Sequence, residues 1–160
     1  MKNLPILFLI VLFSGSILFP EKSHAQLKTY PFEQLDSLQN IAKRNVFVFI
    51  HTDWCEFCQA MKNSTFKNKE VIKNLNANFY FISLNAEEKR TIHFNSRKFI
   101  IKTNGDTKGI HELALELATI NNQTTYPTVC VLNAKNEIVF QQSSYLPAKD
   151  FLILLDQLKK

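Results

Sequence analysis

Residues 46–58 read Val-Phe-Val-Phe-Ile-His-Thr-Asp-Trp-Cys-Glu-Phe-Cys, and this stretch decides the fold. Its first part, Val46 to Ile50, is a run of β-branched and aromatic residues, which predicts a buried central strand. Cys55 and Cys58 follow at a spacing that allows a disulfide across one helical turn. A strand that leads into a helix start offers Cys55 backbone N–H groups and the positive end of the helix dipole, and both favour a thiolate. Since the thiolate is the form that attacks disulfides, we predict Cys55 as the nucleophile and Cys58 as the resolving thiol.

A Cys-x-x-Cys pair also occurs in zinc sites, which need a second pair of ligands at a comparable spacing. The third cysteine, Cys130, lies in an apolar run, and the four histidines are scattered singly along the chain. We therefore predict neither a metal site nor a cofactor, and we expect Cys130 to be a core residue. His51 precedes Cys55 by four residues, so a copper-carrying protein that uses His51 with both cysteines stays an alternative.

The N-terminus carries the features of an export signal. Met1-Lys2-Asn3 is positively charged and precedes an apolar segment that is too short to span a bilayer comfortably. Ser23-His24-Ala25 then supplies small residues for a signal peptidase, so we predict that residues 1–25 are a cleaved signal peptide, with an N-terminal membrane anchor as the alternative. This predicts a periplasmic or secreted protein. The formal net charge of +5 comes from lysines interspersed with acidic residues, which argues against nucleic-acid binding.

Residues 26–160 have the length of one domain. Apolar residues at helical spacing predict helices over 32–44, 55–62, 68–76, 111–120 and 148–158. Strands are predicted over 79–84, 128–132 and 137–142, the last two as an antiparallel hairpin. The segment of about 85–109 contains two short candidate strands, 91–94 and 98–102, on either side of a turn, so we predict an inserted hairpin there.

The order of these elements, together with Trp54, both cysteines and the later Tyr126-Pro127-Thr128, resembles the thioredoxin superfamily. The resemblance covers roughly Val46 to Leu158 and leaves the insertion outside it. It implies an α/β, thioredoxin-like fold with a central mixed β-sheet flanked by helices. It also implies that the Tyr126–Pro127 bond is cis and that Pro127 packs against the cysteine pair. Trp54, Tyr126 and Pro127 are then expected to bind an extended substrate segment.

Within the superfamily, residues 53–62 are similar to exported bacterial proteins that resemble the C-terminal domain of the transmembrane disulfide reductase DsbD. One departure is that Phe49 stands six residues before the first cysteine, where reducing thioredoxins usually carry a buried aspartate. Proton transfer at Cys58 is therefore expected to use solvent or a carboxylate such as Asp53 or Glu56. Glu56 should also raise the pKa of the Cys55 thiol, which would make the couple more reducing.

The sequence thus predicts an exported thiol–disulfide oxidoreductase of the protein-disulfide reductase type. Expected partners are protein thiols or disulfides and, on the resemblance, a membrane electron donor of DsbD type. A thioredoxin-fold binding module, whose cysteines merely staple the surface, is the alternative besides copper transport.

Overall fold

The computed structural model of the chain describes residues 26–103, 105 and 109–159. The predicted signal peptide, residues 1–25, lies outside these described residues. At the centre is a mixed sheet of four strands, β1 (Asn45–His51), β2 (Phe79–Asn85), β9 (Thr128–Leu132) and β10 (Ile138–Ser143). The strand order is β10–β9–β1–β2; β1 and β2 are parallel, whereas the other two neighbouring pairs are antiparallel. This confirms the predicted mixed sheet.

Helices cover both faces of the sheet. In chain order they are α1 (Leu35–Ile41), α2 (Glu56–Asn63), α3 (Lys69–Asn78), α4 (Glu112–Ala118) and α5 (Ala148–Gln157), with 3₁₀ turns at Phe32–Gln34 and Thr65–Lys67. Because β1 is covered on both faces, its residues from Val46 to Ile50 are at most 1% exposed. This burial is the physical reason for the uninterrupted apolar run in the sequence.

The two faces of β1 belong to two separate apolar clusters, because side chains alternate along a strand. Val48 and Ile50 pack in the cluster that includes Leu35 of α1 and Leu113 of α4. Phe47 and Phe49 pack in the cluster that includes residues of α2, α3 and α5, namely Cys58, Met61, Val71, Leu75, Phe151 and Leu155. The cysteine pair therefore lies on the second face of the sheet.

The segment predicted to be an inserted hairpin, which we continue to call the insertion, contains more than one hairpin. It contains two hairpins, one formed by β3 (Ile92–Phe94) and β4 (Arg97–Phe99), the other by β5 (Ile101–Thr103) and β6 (Gly109–His111). The predicted strand over 98–102 was wrong because it is divided at Ile100, whose backbone N–H and carbonyl bond to the carboxylate and the N–H of Glu112. The first hairpin is part of the core, since Ile92 and Phe99 are 1% and 2% exposed.

Three predicted helix ends were wrong by two residues or more: α3 continues to Asn78, beyond its predicted end at residue 76, whereas the first and fourth helices end early. The first helix ends at Ile41, and Tyr80 supplies the reason, since its hydroxyl lies 2.9 Å from the carbonyl oxygens of both Leu38 and Ala42. The fourth ends at Ala118, because Thr119–Ile120 (β7) pairs with Gln123–Thr124 (β8) across Asn121 and Asn122, which both have positive φ. Asparagine tolerates that backbone region, which a tight hairpin turn requires.

Candidate active site

The end of β1 and the start of α2 place the two cysteines. Cys55 is the N-cap of α2, with an extended backbone (φ −79°, ψ 106°), and its sulfur accepts a hydrogen bond from the Cys58 N–H at 3.1 Å. The predicted helix start at Cys55 was thus one residue early. Cys55 and Cys58 form a disulfide with their Cα atoms 5.2 Å apart. Cys55 is 6% exposed and Cys58 is 0% exposed, so Cys55 is the more accessible sulfur of the pair.

Trp54 stands beside the disulfide and is 67% exposed. Its indole Nε1 donates a hydrogen bond to Glu87 Oε1 at 3.0 Å, and its ring meets the Tyr126 ring edge-on with the centroids 6.2 Å apart. Glu87 lies at the start of the insertion, and the sequence analysis did not identify it. The separation of 33 residues left no local pattern that could have revealed the contact.

The Tyr126–Pro127 peptide bond is cis, as the resemblance implies. The sheet register places it near the cysteines, because Thr128 pairs with Ile50 and Pro127 therefore comes next to the end of β1. Tyr126 packs against both apolar clusters, including the one that contains Cys55 and Cys58. Burial, followed by the negative charge of Glu87, raises the pKa of the Tyr126 hydroxyl. The structure thus places the predicted substrate-binding residues Trp54, Tyr126 and Pro127 at the same end of the sheet as the two cysteines.

A second aromatic pair extends the exposed surface beyond the predicted residues. Phe57, between the two cysteines, is 66% exposed, and its ring centroid lies 6.3 Å from that of Tyr145. Tyr145 precedes α5 and is 37% exposed. Phe57 was visible in the motif as an apolar residue that a helix start would expose. Tyr145 carried no comparable signal, because its position depends on how α5 packs against the sheet.

His51 is part of a hydrogen-bonded network and not a free ligand. Its Nδ1 accepts a hydrogen bond from the Lys62 ammonium group at 3.1 Å, so Nε2 carries the proton and lies 3.0 Å from Ser83 Oγ. Burial, followed by the charge of Lys62, lowers the pKa of His51 to about 4. Burial also lowers the pKa of Lys62. Both imidazole nitrogens are engaged, and a cation already lies beside one of them, which weighs against the copper alternative.

The carboxylates suggested for proton transfer are both at the surface. Asp53 is exposed and accepts a hydrogen bond from Asn85 Nδ2 at 3.1 Å, and Glu56 is exposed in the first turn of α2. Phe49, at the family's aspartate position, is 1% exposed and packs against the Phe66 ring at 4.8 Å. The polar network near this end of β1 is therefore the buried His51 with the half-buried Lys62 and the exposed Ser83.

Cys130 is fully buried, and burial raises the pKa of its thiol to about 12. It lies opposite Val48 in the sheet register, on the face that does not carry the cysteine pair. Within the described part of the chain, no group of three or more His, Cys, Asp or Glu side chains could hold a metal ion. The helices of the described residues include none that is long and apolar enough to cross a membrane.

Residues 31–159 match the family described as the thioredoxin-like domain, so the chain belongs to that family. Among solved structures it is similar to a thioredoxin from Thermus thermophilus, with 24% identity, a TM-score of 0.58 and coverage of 82% of this chain and 86% of that one. It is also similar to a DsbH oxidoreductase, with 12% identity, a TM-score of 0.60 and coverage of 91% and 94%. The reduced C-terminal domain of Neisseria meningitidis DsbD gives 16% identity, a TM-score of 0.52 and coverage of 79% and 91%. A search of curated proteins finds no match.

These likenesses confirm the thioredoxin-like fold and the resemblance to the DsbD C-terminal domain. The protein is a thioredoxin-fold protein with a Cys-x-x-Cys pair that forms a disulfide at the start of α2, which is consistent with thiol–disulfide oxidoreductase activity.

Proposed function

We propose that the protein is an exported thiol–disulfide oxidoreductase that reduces disulfides in other proteins. The observation that carries this proposal is the position of Cys55, which caps the N-terminus of α2, forms a disulfide with Cys58 and is the more exposed of the two. A helix N-terminus stabilises a thiolate, and the 6% exposure of Cys55, against none for Cys58, makes Cys55 the sulfur that a substrate can reach.

The reaction begins with the reduced pair. The Cys55 thiolate attacks one sulfur of a substrate disulfide, forms a mixed disulfide and releases the other substrate sulfur as a thiolate. Cys58 loses its proton and attacks the Cys55 sulfur, which releases the second substrate thiolate and forms the Cys55–Cys58 disulfide. Two electrons have then passed from the cysteine pair to the substrate. A dithiol electron donor must reduce the pair again, and we propose a membrane donor of DsbD type for that step.

Trp54, Tyr126 and Pro127 form the proposed binding region for the substrate segment next to the reacting cysteine. Trp54 offers an exposed aromatic face. The cis Tyr126–Pro127 bond lies at the end of the sheet where β1 finishes and the cysteines follow. An extended substrate segment that lies across this end of the sheet would combine backbone hydrogen bonds with contacts to the aromatic rings.

The proposed site of action is the periplasm or the cell exterior, with residues 1–25 as a signal peptide. The support is the positively charged start followed by a short apolar segment and Ser23-His24-Ala25. The chain also has one close cysteine pair in place of a disulfide framework, which suits redox chemistry better than stapling in an exported protein.

The experiment that tests the function equilibrates the protein in glutathione and dithiothreitol buffers and counts thiols after trapping. A reversible couple near roughly −270 mV would support a reductase, whereas a value near roughly −120 mV would indicate an oxidase that inserts disulfides. Cys55→Ser should abolish the reduction of a protein disulfide, and Cys58→Ser should accumulate the mixed disulfide. Cys130→Ala is the matched cysteine control and should leave the redox couple in place. A protein without a reversible couple would support the binding-module alternative instead.

A further inference from the structure

Exposed aromatic side chains surround the disulfide on more than one side. Trp54 and Phe57, on either side of Cys55 in sequence, are 67% and 66% exposed, which is unusual for such large apolar groups. Each is paired with a tyrosine, Trp54 with Tyr126 and Phe57 with Tyr145. We call these four residues the aromatic surface. Because the Cys55 sulfur lies beside these residues, a substrate must contact the aromatic surface during thiol–disulfide exchange.

Carboxylates lie around the aromatic surface. Asp53 precedes Trp54, Glu56 follows Cys55, and Glu87 accepts the hydrogen bond from the Trp54 indole. The charge of Glu87 also contributes to the raised pKa of Tyr126, so Glu87 lies near both aromatic rings at once. The local charge is opposite in sign to the formal net charge of the whole chain, which is +5.

The basic side chain whose charge interacts with Asp53 is Lys62, and it is turned towards the interior. Its ammonium group donates to His51 Nδ1, and burial lowers its pKa. Lys62 therefore serves the network at the end of β1 and does not pair with Glu56 or Glu87 in the hydrogen bonds and ion pairs of the described residues. The carboxylates of Glu56 and Glu87 are consequently available to a cationic partner.

Glu87 is held in place before any substrate arrives. Its N–H donates to the Asn85 side chain at 2.9 Å, and the next N–H, that of Glu88, donates to the Asn85 carbonyl at 3.0 Å. The preceding residue, Ala86, donates to the His51 carbonyl at 2.7 Å and accepts from the His111 N–H at 2.8 Å. The start of the insertion is thus tied to the end of β1, and a preorganised group binds at a lower entropic cost.

We propose that the aromatic surface with its carboxylates binds an extended polypeptide segment that carries Lys or Arg beside its reacting cysteine, and that Glu87 recognises that basic side chain. This deepens the proposed function and rests on it. An arginine that lies over the Trp54 ring would combine a cation–π contact with a charge-assisted hydrogen bond to Glu87. Glu87 is then a specificity residue that the insertion supplies.

The test uses three synthetic peptides that differ only next to a central cysteine, with Arg, Ser or Glu at that position. The cysteine is held as a mixed disulfide with 2-mercaptoethanol, which is neutral. The full chain is reduced first, and the rate of peptide reduction is measured by thiol trapping. In this reaction Cys55 and Cys58 are oxidised to their disulfide, and the products are the peptide thiol and 2-mercaptoethanol. Each rate is divided by the rate with dithiothreitol, because flanking charges also change the intrinsic reactivity of the peptide.

We expect the normalised rate to fall in the order Arg, Ser, Glu, with a ratio of roughly tenfold between the Arg and Glu peptides at low ionic strength. The ratio should approach one in about 1 M salt, where the screening length is about 3 Å. Glu87→Gln should lower the ratio by about threefold, because the amide oxygen can still accept from Trp54 while the charge is lost. Glu70→Gln removes a carboxylate from the exposed first turn of α3 and should leave the ratio unchanged.

Equal normalised rates for the Arg and Glu peptides, alongside clear reduction of the Ser peptide, would overturn the substrate preference and leave the oxidoreductase function standing. A ratio that Glu87→Gln does not change, or that Glu70→Gln lowers equally, would overturn the role of Glu87. Failure to reduce any of the three peptides would overturn the oxidoreductase function and this proposal with it.

Discussion

His51 should make the folded protein sensitive to mild acid. Its pKa is lowered from 6.5 to about 4 in the folded protein, chiefly by burial and next by the charge of Lys62. Between these two values the unfolded chain binds a proton more readily than the folded chain, so the free energy of unfolding must fall as the pH falls. The contribution of the neutral imidazole is complete above about pH 6.5 and is lost progressively down to about pH 4.

The magnitude follows from the shift. At pH 4.5 about three quarters of the difference between the two pKa values has been expressed, which at 1.36 kcal/mol per pKa unit is about 2.5 kcal/mol, and solvent screening at this partly accessible site reduces it to about 2 kcal/mol. That is a substantial fraction of the stability of a domain of this size. Other groups titrate in the same range. The quantity to compare is therefore the difference in unfolding free energy between the wild type and a variant at each pH, and not the pH dependence of one protein alone.

The assay is urea unfolding of the oxidised protein at several pH values between 7.5 and 4.5, for the wild type and for His51→Gln. The glutamine variant keeps polar contacts but cannot take up a proton in this range, so it should lose about 2 kcal/mol less than the wild type over the interval. Lys62→Met is a second variant. Its loss of unfolding free energy over the same pH interval should be smaller than that of the wild type and closer to that of His51→Gln, because removal of the ammonium charge raises the His51 pKa. Parallel pH dependences of the wild type and His51→Gln would refute this reasoning.

Three further predictions concern the core and the insertion. In the reduced native protein Cys55 should react first with a thiol reagent and Cys130 only after denaturation, since Cys130 is fully buried and burial raises its pKa to about 12; fast reaction of Cys130 in the native protein would contradict its position in the core. Phe151→Ala should lower the free energy of unfolding by about 3–5 kcal/mol, because this ring is fully buried and its centroid lies 5.0 Å from that of Phe47. Ile153→Ala, on the exposed side of the same helix, should lower it by less than about 1 kcal/mol. Similar losses for the two variants would argue against the assigned packing. Gly109→Ala should destabilise the protein by about 1–3 kcal/mol in urea, because a Cβ there would lie 2.5 Å from the Lys102 carbonyl oxygen; an unchanged midpoint would show that the β5–β6 hairpin can shift without cost.

The sequence predicted the core of the fold well, because its strongest signals are local. The apolar run of β1 can be satisfied only by burial on both faces, and the motif from Trp54 to Cys58 requires a strand that ends at a helix start. Tyr126-Pro127-Thr128 then fixed the relation to the thioredoxin-like family. The errors fell at element ends, where tertiary contacts such as the one from Tyr80 to the end of α1 override helical periodicity.

The insertion was predicted least accurately. Its first hairpin could be inferred from the turn residues, but its second was missed, because Ile100 separates two short strands through a contact with Glu112. Short strands carry little periodic signal, and their pairing depends on the surface against which they fold. The burial of Ile92 and Phe99 accordingly shows that the first hairpin of this segment is part of the core.

By itself the sequence determined the fold class, the disulfide pair and the residues at its centre, since all of these depend on local patterns of burial and on the spacing of two cysteines. The tertiary structure decided what surrounds that pair. Glu87 meets Trp54 and Ser83 meets His51, because parallel pairing of β1 with β2 brings distant segments to one end of the sheet, and Lys62 reaches His51 from α2. Such contacts leave no trace in local periodicity, because side chains that meet across a sheet can be separated by any length of chain.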